Sequence, residues 1–222
     1  MKNKDIDDFW KNTSPAFSNQ YATILGIPLT PTGFFLQLRY KKISKILQRL
    51  PGKIMLDVGC GSGIFMREGI LQGRKVVGID YSKQMIETAR RNLSFFSSDN
   101  YELIEASAQK IPLKNNSMDI VLASGLTDYL KSSETVAFMF EVSRVLKKNG
   151  YVIITFPKTD SPLAFLRSNW GLGIRKLFLK LPPIQTTYTK QEIKNICHHV
   201  SIEPIEWDEV LLTMRIMIGK KK

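Results

Sequence analysis

The fold of this chain is decided by the stretch Ile54-Met55-Leu56-Asp57-Val58-Gly59-Cys60-Gly61-Ser62-Gly63. An apolar run that ends in an acid and passes into three glycines within five residues is typical of a strand followed by a ligand-binding loop. Apolar residues return at helical spacing from Ile64 to Leu71, so the loop lies at the amino end of a helix. Free backbone amides at such an end favour a carboxylate or a phosphate.

A second acid ends the next predicted strand. Asp80 follows Lys75-Val76-Val77-Gly78-Ile79 and lies 17 residues beyond Gly63, a distance that one helix and one short strand fill. This spacing places its carboxylate beside the first loop, where it can accept hydrogen bonds from both ribose hydroxyls of a nucleoside. A dinucleotide site would call for Gly-x-Gly-x-x-Gly/Ala, and Ile64 stands at the third position. The pattern therefore predicts a nucleotide-like site and disfavours a dehydrogenase.

Four motifs in this order resemble the class I S-adenosylmethionine-dependent methyltransferases, of the methyltransferase type 11 kind. They are Leu56-Asp57-Val58-Gly59-Cys60-Gly61-Ser62-Gly63, Val77-Gly78-Ile79-Asp80-Tyr81-Ser82 with Met85 and Ala89, Met118-Asp119-Ile120-Val121, and Arg144-Val145-Leu146-Lys147-Lys148-Asn149-Gly150. The resemblance is strong over residues 50–157 and implies an α/β fold, a Rossmann-like three-layer sandwich. Its seven-stranded sheet would be mostly parallel with an antiparallel last strand. The implied cofactor is S-adenosyl-L-methionine, and the product S-adenosyl-L-homocysteine.

Strands and helices alternate along this region, which predicts a parallel sheet covered on both faces. Predicted strands lie near 53–58, 75–80, 101–105, 119–124 and 150–156, and predicted helices near 39–50, 62–72, 82–94, 134–147 and 189–200. Two further strands, 201–207 and 210–218, are expected to join at a turn around Asp208-Glu209. Residues 1–36 predict short helices and loops, because prolines interrupt scattered aromatic residues.

Length and composition indicate a single domain, since 222 residues that are 43% hydrophobic can bury a substantial core. We expect a helical cover (1–50), a cofactor-binding core (51–157), a substrate-cover insertion (158–188) and a C-terminal helix with a hairpin (189–222). The charged start and the lack of any run of about 18 apolar residues predict a cytoplasmic protein without a secretory signal. Cys60 and Cys197 show no metal-ligand spacing, and we predict no metal.

The net charge of +12 favours acidic partners without choosing among nucleic acid, membrane surfaces and anionic small molecules. The segment from Pro157 to Lys190 contains six basic residues and one acidic residue, Asp160, which predicts a local basic surface. A general richness of the protein in lysine is the alternative explanation for this excess. The same segment carries many apolar side chains, including Phe165 and Trp170. A cover of this kind suits a hydrophobic anion or a lipid-like acceptor, and peripheral membrane contact stays open beside it.

The resemblance implies roles for the cofactor site. The glycine loop would meet the methionyl end of the cofactor, Asp57 would orient that loop or its water, and Asp80 would hold the ribose. Tyr81 and Met85 would line the adenine pocket, although core packing is the alternative for both. Relatives commonly carry an acid where this chain has Ser107, which leaves adenine recognition to backbone. The predicted set is Asp57, Gly59, Cys60, Gly61, Gly63, Asp80, Tyr81, Met85, Ser107, Ala108 and Ser124.

The acceptor side depends on the end of the fourth strand, residues 123–130. This segment lacks the Pro-Pro of enzymes that methylate exocyclic base nitrogens and the nucleophilic cysteine of enzymes that make 5-methylcytosine, which disfavours nucleobase modification. Asp128 and Tyr129 are the predicted groups for orienting or deprotonating the acceptor, with helix packing as the alternative for Tyr129. The chain around Thr155-Phe156-Pro157 is similar to the magnesium-protoporphyrin O-methyltransferases, which have His-Tyr in place of Asp128-Tyr129.

The sequence thus predicts an enzyme that transfers a methyl group to an oxygen or nitrogen of a small, partly apolar acceptor, which can be anionic. Two alternatives stay open. The first is a nucleic-acid (RNA) methyltransferase, whose phosphate contacts would make binding steeply dependent on salt. The second is a non-catalytic partner subunit that binds the cofactor without turnover.

Overall fold

The computed structural model of the protein describes residues 31–161 and 184–222. The predictions for residues 1–30 and for most of the substrate-cover insertion, 162–183, lie outside the described residues. The helices are α1 Pro31–Arg49, α2 Ile64–Leu71, α3 Lys83–Asn92, α4 Ser132–Val145 and α5 Lys190–His199. The strands are β1 Ile54–Val58, β2 Lys75–Asp80, β3 Tyr101–Glu105, β4 Met118–Ala123, β5 Leu146–Pro157, β6 Ile202–Val210 and β7 Met214–Lys221.

The strands form one seven-stranded sheet in the order β3-β2-β1-β4-β5-β7-β6. Strand β7 is antiparallel to both β5 and β6, while the pairings among β1 to β5 are parallel. The predicted architecture is therefore confirmed. The strand order reverses at β1, which pairs with β2 on one side and β4 on the other. Ligands of open α/β sheets bind beyond the carboxyl ends of the strands at such a switch point.

Helices cover both faces of the sheet because successive strand residues point to opposite sides. On one face, Met55 of β1 belongs to a buried cluster with Ile43 of α1 and Phe65 of α2. On the other face, Leu56 packs in a cluster with Phe138 of α4. All five of these residues are almost fully buried, so the sheet is the middle layer of a three-layer sandwich. Within the described ranges, no helix is long and apolar enough to cross a membrane.

Several predicted boundaries are wrong. Helix α1 begins at Pro31 rather than near residue 39, so residues 31–36 belong to one long helix rather than to short helices and loops. Strand β5 begins at Leu146 rather than near residue 150. The turn of the terminal hairpin lies at residues 211–213, and β6 continues through Asp208-Glu209 to Val210. Two acids of β6 pair with α1: Lys42 Nζ lies 2.7 Å from an oxygen of Asp208, and Arg49, two turns along the helix, lies 2.6 Å from an oxygen of Glu206.

Helix α1 is fixed to the domain by hydrogen bonds near its carboxyl end. The Arg74 guanidinium donates to the carbonyls of Leu47 and Leu50, both at 2.8 Å. The Tyr40 hydroxyl donates to Glu68 of α2 at 2.6 Å, and this contact lies in the middle of α1. Helix α1 is thus held from its middle to its carboxyl end, and Arg39, next to Tyr40, lies against Gly125 after β4.

Candidate functional site

The loop after β1 folds back onto the end of β2. The amides of Gly59 and Cys60 both donate to the carbonyl of Ile79, at 2.8 and 3.0 Å. Gly59, Gly61 and Gly63 all have positive φ values, of 70°, 53° and 82°. Residues with a Cβ rarely adopt such angles, so this backbone path depends on glycine.

The three glycines serve different purposes. A Cβ on Gly59 would lie 3.2 Å from Leu126 in the loop after β4, and a Cβ on Gly63 would lie 3.3 Å from Ala89 of α3. A Cβ on Gly61 would meet no atom of the described residues within 4 Å. Gly59 and Gly63 therefore permit close packing within the protein, whereas Gly61 presents bare backbone to open space. The structure places all three predicted glycines in one loop, but only Gly61 offers a surface for close approach.

The two predicted acids lie side by side at the ends of β1 and β2. The Asp80 carboxylate accepts hydrogen bonds from the amide of Gly61 at 3.0 Å and from the amide of Ser82 at 2.9 Å. Asp57 is 2% exposed, and its Oδ2 has no hydrogen-bond partner among the described residues. A buried carboxyl oxygen without a partner is costly, so this atom marks a place where a ligand or water donates.

Burial raises the pKa values of both Asp57 and Asp80. Burial raises the pKa of Asp57 to about 8, and the nearby negative charge of Asp80 adds to the effect. Burial also raises the pKa of Asp80, to about 6, although the backbone amides that it accepts from hold the value lower. Near pH 7 the pair thus carries a proton mainly on Asp57, and a cationic ligand beside it would favour the doubly ionised form.

The residues predicted around adenine lie at the ends of β2 and β3. The amide of Ala106 donates to the carbonyl of Asp80 at 3.0 Å, which brings the two strand ends together. Tyr81 is 38% exposed, whereas Met85 is buried in α3. Ser107 is exposed, and its hydroxyl donates to the side chain of Gln109, while its neighbour Ala108 is half-buried. Tyr81 therefore faces the exterior of this edge and Met85 does not.

Cys60 is the predicted loop residue whose side chain turns inward. Its Sγ would lie 3.1 Å from a Cβ on Gly78, the small residue of β2 that makes room beneath the loop. Burial raises the pKa of the Cys60 thiol well above its usual range. The thiol is thus a packing group beneath the loop, which agrees with a structural, reduced cysteine.

The loop after β4 contains the predicted acceptor residues and is tied to β5. The amide of Gly125 donates to the Thr155 hydroxyl at 2.7 Å, and the Thr127 hydroxyl donates to the Thr155 carbonyl at 2.6 Å. Ser124, at the start of this loop, has a buried hydroxyl with no partner in the described part of the chain. The carboxyl edge of β4 thus contributes a second orphan polar atom to the crevice.

Asp128 and Tyr129 lie in a single 3₁₀ turn, Thr127–Tyr129. Asp128 is 6% exposed, and its carbonyl accepts a 2.8 Å hydrogen bond from the amide of Gln185. Tyr129 is half-buried. Both candidates are therefore on a fixed turn at the same edge of the sheet as the glycine loop.

Sequence reasoning missed Arg39. This residue of α1 is 5% exposed, and its Nη1 lies 2.7 Å from the place where a Cβ on Gly125 would be. The structure thus puts a buried guanidinium against bare backbone at the end of β4. An arginine among the polar residues of an amphipathic helix gives no local signal of such a position.

The basic surface predicted around residues 158–190 is partly neutralised where the structure describes it. Lys158 Nζ lies 2.7 Å from both carboxylate oxygens of Glu209, and Arg215 of β7 lies 3.0 Å from Asp160. Lys190 stacks 4.9 Å above the ring of Trp207. The described members of the set therefore do not form an open cationic patch. Within residues 31–161 and 184–222, no group of three His, Cys, Asp or Glu side chains could hold a metal ion.

Comparisons with known proteins agree with this geometry. The family model described as a methyltransferase domain matches residues 56–154. The demethylmenaquinone methyltransferase of Lactococcus lactis is 30% identical over 116 residues, 50% of this chain and 45% of that protein. The malonyl-[acyl-carrier protein] O-methyltransferase of Legionella pneumophila is 33% identical over 124 residues, 54% of this chain and 39% of that protein. The chain thus spans less than half the length of these two curated relatives.

The fold is shared with solved methyltransferases. The magnesium protoporphyrin IX methyltransferase of Synechocystis, solved with bound S-adenosylhomocysteine, superposes with a TM-score of 0.76 at 15% identity, covering 100% of both chains. At this identity the likeness concerns the fold alone. Residues 56–154 are thus similar to a methyltransferase domain, and the chain has the fold of a solved methyltransferase.

Proposed function

We propose that this protein transfers a methyl group from S-adenosylmethionine to an oxygen or nitrogen of a small, partly apolar acceptor, which can be anionic. One observation carries the proposal. At the switch point of the sheet, the buried Asp57 with its orphan oxygen lies near the Asp80 carboxylate, which accepts a hydrogen bond from the Gly61 backbone. This set suits a ligand that is cationic, carries hydroxyl groups and approaches the backbone closely.

The chain's own residues would bind and orient the donor. Asp80 is positioned to accept hydrogen bonds from ribose hydroxyls, because its two oxygens are already aligned by the amides of Gly61 and Ser82. Asp57 would bind a donor group or a water through its free Oδ2. Tyr81, Ser107 and Ala108 would face the adenine from the adjacent strand ends.

S-adenosylmethionine, when bound, supplies an electrophilic methyl carbon on a sulfonium. The remaining task of the protein is to hold the nucleophile in line at near-contact distance and to exclude water. Asp128 and Tyr129 would orient or deprotonate the acceptor, since their turn is fixed to β5 and to residue 185. Positioning of this kind provides a large part of the rate enhancement in a two-substrate reaction.

The acceptor class follows from the remaining features. The two curated relatives act, by their names, on demethylmenaquinone and on malonyl-[acyl-carrier protein]. The predicted covers, residues 1–50 and 158–188, contain many apolar side chains next to bases, which suits an acceptor with an apolar part and a negative charge. We propose the cytoplasm as the place of action. The ion pairs of Lys158 and Arg215 weigh against an exposed row of basic side chains that would bind the phosphates of a nucleic acid.

Two measurements test the proposal. Titration calorimetry with S-adenosylmethionine and S-adenosylhomocysteine is expected to show binding of both, and a folded protein that binds neither would refute it. Transfer of a labelled methyl group is then screened over phenols, quinols, carboxylic acids, amines and RNA. Binding without turnover on any acceptor would favour the non-catalytic subunit, and turnover on RNA with a steep salt dependence would favour the nucleic-acid enzyme.

A further inference from the structure

The turn between β6 and β7 combines backbone strain with exposed apolar side chains. Leu211 and Leu212 have positive φ values of 44° and 56°, and the Thr213 amide donates to the Val210 carbonyl at 3.1 Å. Turns whose two central residues have positive φ favour asparagine and glycine, and a leucine is strained there. The two leucine side chains are nevertheless 45% and 53% exposed. The turn thus keeps apolar surface at the expense of stability, which points to a use outside the folded domain.

This turn lies at the same edge of the sheet as the glycine loop. Strands β1, β2, β4 and β5 are parallel, so the end of β5 shares an edge with the ends of β1 and β2. Strand β7 begins beside the end of β5, because Met214 pairs with Pro157. The carbonyl of Thr213 also accepts a 3.0 Å hydrogen bond from the amide of Lys158, which follows β5. The exposed leucines therefore lie at the edge where the donor is proposed to bind.

The acidic residues that precede the turn in β6 are paired within the protein. Unpaired carboxylates at Asp208 and Glu209 would repel an anionic surface. Lys42 Nζ lies 2.7 Å from an oxygen of Asp208, and Lys158 Nζ lies 2.7 Å from an oxygen of Glu209. These two pairs neutralise the strand beside the turn. The net charge of +12 then makes the protein as a whole attractive to an anionic surface.

Two exposed lysines lie at the start of helices at this edge. Lys83 is the first residue of α3, which follows β2, and Lys131 is the cap residue of α4, which follows the loop after β4. The amino end of a helix carries a partial positive charge, so it favours an acid rather than a lysine. Exposed lysines at such positions suit an anion outside the protein. The edge thus combines apolar and cationic groups, the combination that binds anionic membrane surfaces.

We propose that the Leu211-Leu212 turn inserts into the surface of a membrane that contains anionic lipids, with Lys83 and Lys131 beside the lipid headgroups. The inference goes beyond the proposed function, because it concerns the place where the protein works rather than the reaction. The edge of the sheet with the glycine loop would then face the lipid, so an apolar acceptor would reach it from the membrane. A second copy of the chain is a poorer occupant, since a symmetric contact at this edge would bring like charges together.

The first test replaces the strained leucines with the residues that such a turn favours. Co-sedimentation with vesicles of phosphatidylcholine and phosphatidylglycerol measures the affinity of the full chain. Leu211→Asn combined with Leu212→Gly is expected to weaken binding by about 10- to 100-fold, because the apolar contact is lost. The same variant should raise the melting temperature by about 2–8 °C, since the strain is relieved. The control Leu71→Gln removes an exposed leucine at the opposite edge of the sheet and should leave vesicle binding unchanged.

The second test removes charge. Lys83→Gln combined with Lys131→Gln is expected to weaken binding to the same vesicles by about 5- to 30-fold. The control pair, Lys75→Gln with Lys148→Gln, removes two exposed lysines from the opposite edge and should change the affinity by less than about twofold, because salt screens charges at that distance.

Three outcomes would overturn the proposal. They are a wild type that does not bind the vesicles, a turn variant that binds as well as the wild type, and equal effects of the two lysine pairs. A wild-type dimer that the turn variant converts to a monomer, measured by light scattering without vesicles, would also overturn it in favour of a second copy. Calorimetry with S-adenosylmethionine tests the proposed function separately.

Discussion

Replacing Gly61 by valine tests two roles of this residue, its left-handed backbone conformation and its proposed close approach to the donor. Gly73 provides a matched control for the first role. Gly61 and Gly73 have left-handed φ values of 53° and 77°, and in the described part of the chain a Cβ on either would meet no atom within 4 Å. They differ in position. Gly61 lies in the loop at the carboxyl end of β1, whereas Gly73 lies in the turn before β2, at the opposite edge of the sheet.

The conformational cost should be the same at both positions. A residue with a Cβ in the left-handed region costs about 1–2 kcal/mol. For a protein of this size, such a loss lowers the melting temperature by about 2–8 °C. Neither variant should lose its native circular dichroism, because neither side chain clashes with the protein.

Donor binding should distinguish the two variants. Valine at position 61 fills the space into which the proposed donor extends, and forcing extra methyl groups into an occupied space costs about 1–3 kcal/mol. Calorimetry should therefore show S-adenosylmethionine binding about 5- to 150-fold weaker in Gly61→Val and unchanged in Gly73→Val. Equal affinities in the two variants would refute the close approach of the donor to Gly61.

Three further outcomes are expected. Asp80→Ala should lower the affinity for S-adenosylmethionine by about 1–3 kcal/mol, because it removes a charged acceptor, and an unchanged affinity in calorimetry would contradict the role of Asp80. Burial raises the pKa of Asp57 from 3.8 to about 8, so the donor-free folded state binds a proton that the unfolded chain has released. The free energy of unfolding should then fall as the pH rises from about 4 to 8. Asp57→Asn should flatten the matching decline in melting temperature. An unaltered slope in this variant would contradict the raised pKa of Asp57. Deleting residues 1–30 should reduce the turnover rate more severely than it reduces thermal stability. Full activity of the shortened protein would show that this segment is no substrate cover.

Strands β1 and β2 could be predicted from sequence because they are buried apolar runs with an acid at or next to their carboxyl end. The predicted strands at 75–80 and 101–105 have the observed bounds, and β1 differs from its prediction by one residue. Turn residues such as Gly73 separate the strands from helices. Local sequence and final packing agree there, so a reading of pattern alone suffices.

The terminal hairpin shows where pattern reasoning fails. Charged residues in succession usually mark a turn, yet Glu206 and Asp208 stay in β6 because α1, more than 150 residues earlier, provides their partners Arg49 and Lys42. The turn itself uses Leu211 and Leu212 at φ values of 44° and 56°. Leucine is not a residue that turn propensities would choose for such angles. Tertiary contacts of β6 with α1 and with β7 therefore decide both features.

One part of the candidate site could likewise be predicted from the sequence, and another part could not. The glycine loop, Asp57 and Asp80 follow from motif and spacing, since neighbouring parallel strands end at the same edge of a sheet. The separate tasks of Gly61 and Gly63 depend on what a Cβ would touch, which no sequence position reveals. Arg39 depends on the crossing of α1 over the sheet and on the fixation of its far end by Arg74. Contacts between distant segments thus supply the part of the site that pattern cannot.

The distribution of polar groups in the crevice also indicates where donor affinity would arise. At the end of β3, the position where relatives carry an acid is Ser107, whose hydroxyl is exposed and occupied by Gln109. A charged contact to the adenine from this position is therefore absent. Asp57 and Asp80 are more than nine-tenths buried, at the strand ends where the ribose and methionyl part of the donor are proposed to bind. Buried charged contacts exceed exposed neutral ones in strength, so discrimination among donors should depend on the amino-acid end more than on the base.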